Sequence, residues 1–463
     1  MRTQNKILLL VSLIYLALTF ISINVPFFWD GTFFSFVAVQ FYEKGFNGFI
    51  AHIDGDTGGF PLYSTYLALT WKLLGKSLLV SHIAMLPFMI GIAKEYLKLA
   101  SKYLSGNTLL FSSLLLLLEP VLLTQSILMG YDLIMVYFFL LSLNHLQQKK
   151  DYQFAIALTL LSMCSVRGII LSCSLLTIDL ALSQFNIKLL RKYLPAISIL
   201  LIWSGYHFSS TGWLLFSPLR DSNHEALLPP GMMIRQLLFI IWKLNDLGHV
   251  FLWLFLIIMI ISFRKHFTVQ MKELLIICFT PLIASILFMA PLANPVGHKY
   301  FIVIFLLLNI PVCYLLQRLR SSVRNFFCLL FTIAMLSGNF WLYPERFGNG
   351  WDSSLKVFPY FKLKAEIDQY VTEHKIAPHT VGTQFPLISD DKYSKLSGSS
   401  FAYTNVWAGP LDHYEYFLQS NVINTDIPEQ IEKVKQEWIP VKKLKKGQVC
   451  LTLYKNPQFS PAP

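Results

Sequence analysis

The chain has 463 residues, of which 54% are hydrophobic, 15% aromatic and only 14% charged, with a formal net charge of +12. Soluble domains carry about 25% charged residues, so a soluble enzyme and a disordered chain are both excluded and the composition is that of a polytopic membrane protein. Nucleic acid is excluded as a partner too: the segment from Pro344 onward is balanced, with 14 Lys/Arg against 13 Asp/Glu, and the basic surplus lies between apolar runs earlier in the chain, which is a topology signal.

Hydropathy predicts about eleven transmembrane helices. The first, Ile7–Ile23, follows Arg2 and Lys6 and lacks a small-residue cleavage site, so it reads as an uncleaved anchor with a cytoplasmic N-terminus. The others are Leu78–Tyr96, Thr108–Leu128, Leu133–Leu146, Phe154–Val166, Gly168–Leu182, Leu194–Phe208, Val250–Ser262, Leu274–Leu292, Tyr300–Leu316 and Phe326–Tyr343. Alternating sides then place sixteen basic residues in the cytoplasm and eight outside before Pro344. Phe154–Val166 and Gly168–Leu182 form a tight hairpin with Arg167 at its outer tip. Five of the six cysteines lie in apolar runs and Cys450 is alone, so they read as packing residues.

An odd number of spans puts residues 344–463 outside, as a small extracytoplasmic α/β domain on a transmembrane domain of residues 1–343. Helices are expected over Phe361–Lys375 and Pro428–Lys435, and short strands over Thr380–Gln384 and Glu415–Gln419. Trp438–Lys443 and Gln448–Tyr454 flank Lys445-Lys446-Gly447 as a hairpin.

The polar residues with chemical promise collect on the external side. The first external loop, residues 24–77, holds Asp30, Glu43, His52, Asp54 and Asp56, and a loop of that length calls for a function. Asp30 directly follows the first span. Thr32–Lys44 then has helical spacing and stops at Gly45; Pro61–Leu74 is a second helix, stopped at Gly75 and too short to span, with Tyr63, Tyr66 and Trp71 suited to a membrane interface. On residue type alone, Asp30 and Asp56 are equally suited to capping helices or turning the chain. A His-x-Asp-x-Asp run over His52, Asp54 and Asp56 offers a weak metal site, and Glu119 is an ionisable residue inside an apolar run.

Several of these motifs together carry a resemblance. Asp30 after the first span, then Asp56-Thr57-Gly58-Gly59-Phe60-Pro61-Leu62-Tyr63 and Lys72-Leu73-Leu74-Gly75, resemble the GT-C glycosyltransferase superfamily. The branch is that of the protein O-mannosyltransferases and the lipid A aminoarabinose transferase. Glu119-Pro120, Gln125-Ser126 and Asp132 are similar to the family's stretch between spans three and four. Arg167 falls where a Lys often occurs, and Gly297-His298-Lys299-Tyr300 resembles the basic-aromatic entry to a late span. The chain departs from the pattern at Gly31, where a second carboxylate is common, and at Gly59-Phe60, which replace a His and a Pro.

The resemblance implies a GT-C architecture and a polyprenyl-phosphate sugar donor. Transfer to a lipid, glycan or protein acceptor would take place on the external face of the cell (inner) membrane. Asp30 would be the base that takes the acceptor proton, with inversion at the sugar. Asp132 would position Asp30, bind sugar or ligate a divalent ion; its structural reading is a helix cap. Asp56, Glu119, Arg167, Arg220, Arg235, His298, Lys299 and Tyr300 are the substrate-binding candidates, the cations facing the donor phosphate or anchoring the chain at the interface. The loop Ser209–Gly231 would act as a flap. A transporter or lipid flippase is the alternative, and would favour internal repeats and mid-membrane charge pairs. A non-catalytic assembly subunit of the same fold is another.

Overall fold

The computed structural model describes residues 2–183, 186–214, 226–264, 267–344, 349–406, 411–423 and 428–459. The membrane part contains α1 (Arg2–Ile21), then α2 (Asp30–Lys44) and α3 (Leu62–Leu74) in the first loop, then α4 (Leu78–Ala100), α5 (Gly106–Leu118), α6 (Pro120–Ile127) and α7 (Asp132–Gln147). It continues with α8 (Asp151–Cys164), α9 (Val166–Leu182), α10 (Leu194–Thr211), α11 (Pro230–Asn245), α12 (His249–Phe263), α13 (Val269–Met289), α14 (Ile302–Leu316) and α15 (Ser321–Gly338). Among the described residues, five helices are long and apolar enough to cross a membrane. Seven crossings result if two bent pairs each count as one, so length and composition license five to seven of the eleven expected.

The breaks have local causes. Pro120 cannot continue the hydrogen-bond ladder, so the run read as one span divides into α5 and α6 at a 53° bend. There the Glu119 side chain accepts the Val121 N–H at 3.3 Å as the cap of α6. The expected tight hairpin exists: only Ser165 separates α8 from α9, and its hydroxyl accepts the Gly168 N–H. A Cβ on Gly168 would fall 2.0 Å from the Leu161 carbonyl oxygen, so glycine lets the two backbones meet. Helix α11 was not anticipated, because Arg235, Lys243 and Asn245 interrupt its apolar pattern; it meets α12 at 95°.

Helix α14 is apolar on every side and wholly buried, the signature of a central helix. It packs on α5, α7, α12 and α13. In lipid such packing rests on close van der Waals contact more than on escape from water. Tyr63 and Trp71, read as interfacial, are instead buried: their polar tips reach the Met129 carbonyl (2.6 Å) and the Ser81 hydroxyl (2.9 Å). A polar tip satisfied by protein has no need of the headgroup region. Tyr66, half-buried, likewise donates to the Ala84 carbonyl at 2.7 Å.

The C-terminal region carries α16 (Pro359–Glu373), the short α17 (Asp391–Ser394), α18 (Pro428–Glu437) and a five-stranded sheet of order β2-β1-β3-β5-β4. Its strands are β1 (Val381–Thr383), β2 (Thr404–Asn405), β3 (Tyr416–Ser420), β4 (Ile439–Lys446) and β5 (Val449–Lys455). Strand β1 runs parallel to β2 and β3, whereas β3/β5 and β4/β5 are antiparallel, with Lys446 opposite Val449 across the expected hairpin. Helix α16 covers β4 and β5. This region is tied to the first loop, since the Ser35 hydroxyl donates to the Tyr393 carbonyl at 2.6 Å and Phe28 stacks edge-on against Tyr360 and Phe361.

Candidate active site

A cavity of about 1440 Å³ lies between the first-loop helices, the 295–300 segment and the C-terminal region. Three elements distant in sequence bring charge into it. Asp30 is the first residue of α2 and makes no capping bond; its Oδ2 meets the Lys299 ammonium at 2.6 Å instead. Lys299 sits in a single 3-10 turn (His298–Phe301) leading into α14 and is buried. The same ammonium reaches Asp352 Oδ2 at 2.8 Å. Asp352 lies in the 3-10 turn Trp351–Ser353 that opens the C-terminal region, with its carbonyl accepting the Gln125 side-chain amide at 2.7 Å. Burial alone would raise the Asp352 carboxyl, but the Lys299 ammonium beside it and the Ser353 hydroxyl hold it below the usual carboxylate range.

Arg167 forms the adjacent wall. Its guanidinium lies 4.0 Å from the Tyr300 ring centroid and 5.2 Å from that of Tyr131, whose hydroxyl it also contacts. It pairs with Asp132 at 2.6 Å. Asp132 begins α7 without capping it, so the helix-cap reading does not describe its side chain. A planar cation between two aromatic faces and a carboxylate is fixed in orientation.

On the far wall, His298 Nε2 meets Asp246 Oδ2 at 2.7 Å, and Asp246 Oδ1 accepts from the Tyr343 hydroxyl (2.6 Å) and the Leu247 N–H. The carboxylate accepts, so His298 carries its proton on Nε2, and Nδ1 faces Gly350 without a hydrogen-bond partner among the described residues. Lys243 of α11 is buried in the same wall, 4.1 Å from the Trp242 ring centroid. Behind it, Lys356 donates to the Trp341 carbonyl at 2.6 Å, and burial pushes its ammonium down to about 8 against the partial pull of Asp246.

The remaining candidates are placed differently. Asp56 lines the cavity, yet its carboxylate is engaged by His207 Nε2 (2.9 Å) and the Gly58 N–H (2.9 Å). His52 pairs with Asp54 at 3.1 Å on an exposed turn, so His52, Asp54 and Asp56 do not assemble as a ligand set. Among the described residues, no three His, Cys, Asp or Glu side chains are placed to hold a metal ion. Glu119 is buried away from the cavity lining, paired with His249 at 2.9 Å. Arg235 is exposed on α11 and does not line the cavity. Arg220 lies outside the described residues, as does the middle of the Ser209–Gly231 flap. The flap's described ends are pinned, Trp213 to His207 and Leu228 to Pro291.

Sequence reasoning missed Asp352, Asp246, Lys243 and His207. Asp352 left a usable trace: Trp351-Asp352 follows the last predicted span as Trp29-Asp30 follows the first.

No family model and no curated protein matches the chain. Two solved structures do, both of ArnT from Cupriavidus metallidurans. The apo form has 12% identity and a TM-score of 0.53, and the form bound to undecaprenyl phosphate 11% and 0.51; each alignment covers 98% of this chain and 99% of the other. At that identity the likeness establishes the fold, which is the one the sequence resemblance implies for a multi-pass membrane protein.

Proposed function

We propose that the chain is an integral-membrane glycosyltransferase moving a sugar from a polyprenyl-phosphate donor to a lipid, glycan or protein acceptor. In this reading the N-terminus is cytoplasmic, and residues 344–463 form a domain on the external face against the transmembrane domain of residues 1–343. The observation that carries it is the Asp30 carboxylate, 40% exposed to the cavity and held at 2.6 Å by Lys299. The fold likeness to a chain solved with undecaprenyl phosphate supports a lipid-phosphate donor.

The chemistry requires few groups. The acceptor hydroxyl oxygen attacks the anomeric carbon while its proton passes to Asp30. The bond from that carbon to the phosphate oxygen breaks on the opposite side, inverting the sugar, and polyprenyl phosphate leaves with the electron pair. Lys299, Arg167 and Lys243 bring cationic groups to the cavity wall and would stabilise the departing phosphate. Asp132 holds Arg167 in place. A divalent ion would need a ligand set that the described residues do not form.

The test is sugar transfer from radiolabelled polyprenyl-phosphate donors in membranes carrying the wild type or Asp30→Asn. A fall of about 10²–10⁴-fold supports the reading. Equal transfer by both removes Asp30 as the base and points to Asp132 or Asp56. Failure of both, with folded protein and a broad donor panel, favours a transporter or an assembly subunit.

A further inference from the structure

Asp30 is bound by a cation at 2.6 Å, and a carboxylate closed into such a pair is a poor base: the ammonium stabilises the charge that catalysis needs to neutralise. A base in this position needs a rival for its cation. Asp352 occupies that place, at 2.8 Å from the same ammonium.

The two carboxylates are not equivalent. The Asp30 side chain is 40% exposed, whereas that of Asp352 is 8% exposed. Asp352 is also locked, through its carbonyl to Gln125 and its Oδ1 to the Ser353 hydroxyl at 3.1 Å. Within the ion-paired set, Asp30, Asp352 and Asp132 face Lys299 and Arg167, three acids against two bases. Of the three acids, Asp30 presents the best-exposed oxygen to an incoming substrate. Without Asp352, Lys299 is left to Asp30 and one negative charge is gone from beside it.

We propose that Asp352, delivered by the C-terminal region, is a positioning residue that shares Lys299 with Asp30 and thereby keeps Asp30 basic enough to accept the proton of the acceptor. The proposal rests on the glycosyltransferase reading and extends it, because it makes the C-terminal region part of the reacting site. The other charged or titratable groups facing the set are Tyr131 just before α7, Cys164 at the end of α8, Tyr300 and His298 beside Lys299, and Lys243 of α11. All of them are retained in the variants below.

The first measurement needs no donor. The infrared carboxylate band of Asp30, isolated as the difference from Asp30→Asn, is titrated with and without Asp352→Asn. Its midpoint is expected to fall by about one pH unit when Asp352 is replaced, and to return with Asp352→Glu. An unmoved midpoint overturns the proposal. The second measurement is the pH profile of transfer. Asp352→Asn is expected to lower kcat about tenfold to a hundredfold and to carry the acidic limb to lower pH, with KM for the donor nearly unchanged. A lower kcat with an unmoved limb means a merely structural role and overturns the proposal while leaving Asp30 as the base. Full transfer in Asp30→Asn overturns the glycosyltransferase reading of Asp30, and this proposal with it.

Discussion

Arg167 meets Asp132 at 2.6 Å with both side chains almost wholly buried, the acid starting α7 and the guanidinium standing one residue inside α9. Removing one member leaves the other charge buried alone, which costs about 3–5 kcal/mol, whereas replacing both by apolar groups of similar size is close to neutral. Asp132→Leu and Arg167→Met alone should therefore each lower the melting temperature in detergent sharply, and the double variant should recover most of the loss. Transfer should stay low in all three. If the two single effects simply add, the pair is not coupled and Asp132 acts by some other route.

Gly350 turns the chain with φ +61° directly against His298, where a Cβ would lie 2.5 Å from Nδ1. Gly350→Ala meets both the left-handed backbone strain and the clash, together about 2–3 kcal/mol. The imidazole is expected to be driven off Asp246. A second substitution, His298→Ala, vacates the space, so the double variant should melt above Gly350→Ala despite losing a buried hydrogen bond. A double variant less stable than Gly350→Ala would show that the backbone strain alone dominates.

The parts of this site legible in the sequence are those marked by position along the chain. Asp30, Asp132, Arg167 and Lys299 each stand at the end of a predicted helix, within a motif that resembles a known family, and the fold brings all four together. Asp246 and His298, or Asp56 and His207, are tertiary pairs 52 and 151 residues apart, and no local pattern links them. Residue type and predicted side point to Arg235, which the fold leaves exposed. Glu119 was singled out because an acid in an apolar run is expensive; it is satisfied by capping α6 and by His249. Hydropathy likewise found the apolar helices but passed over α11, where one face carries Leu238 and Ile241 into the open and the other buries Lys243.

His207 joins α10 to the turn that carries Asp56, and Trp203 of the same helix donates to the Gly58 carbonyl at 3.0 Å. Two side chains thus hold the 52–59 turn against α10 and fix the start of the chain that follows it through Trp213. Among the described residues, His207→Ala leaves the buried Asp56 carboxylate with the Gly58 N–H alone. Backbone amides of residues 54–60 and 211–214 should exchange with deuterium about ten times faster in this variant, without change in α13 or α14. Unchanged exchange would mean that Trp203 alone is sufficient to hold the turn.

Lys356 gives the fold a pH dependence with a definite sign. Burial lowers its ammonium from the ordinary value of 10.5 to about 8. Below pH 8 folded and unfolded chains both bind the proton, and the folded state bears the full desolvation penalty. Between about pH 8 and 10.5 the unfolded chain still holds a proton that the folded chain has released, so stability rises with pH across that window. The gain is up to ~3 kcal/mol for a group buried this fully. The comparison that isolates the effect is wild type against Lys356→Met. The variant loses the bond to the Trp341 carbonyl at every pH, a constant offset. The stability difference should therefore shift in favour of the wild type on going from pH 7.5 to pH 10, and a difference that stays flat would place the Lys356 ammonium in contact with water.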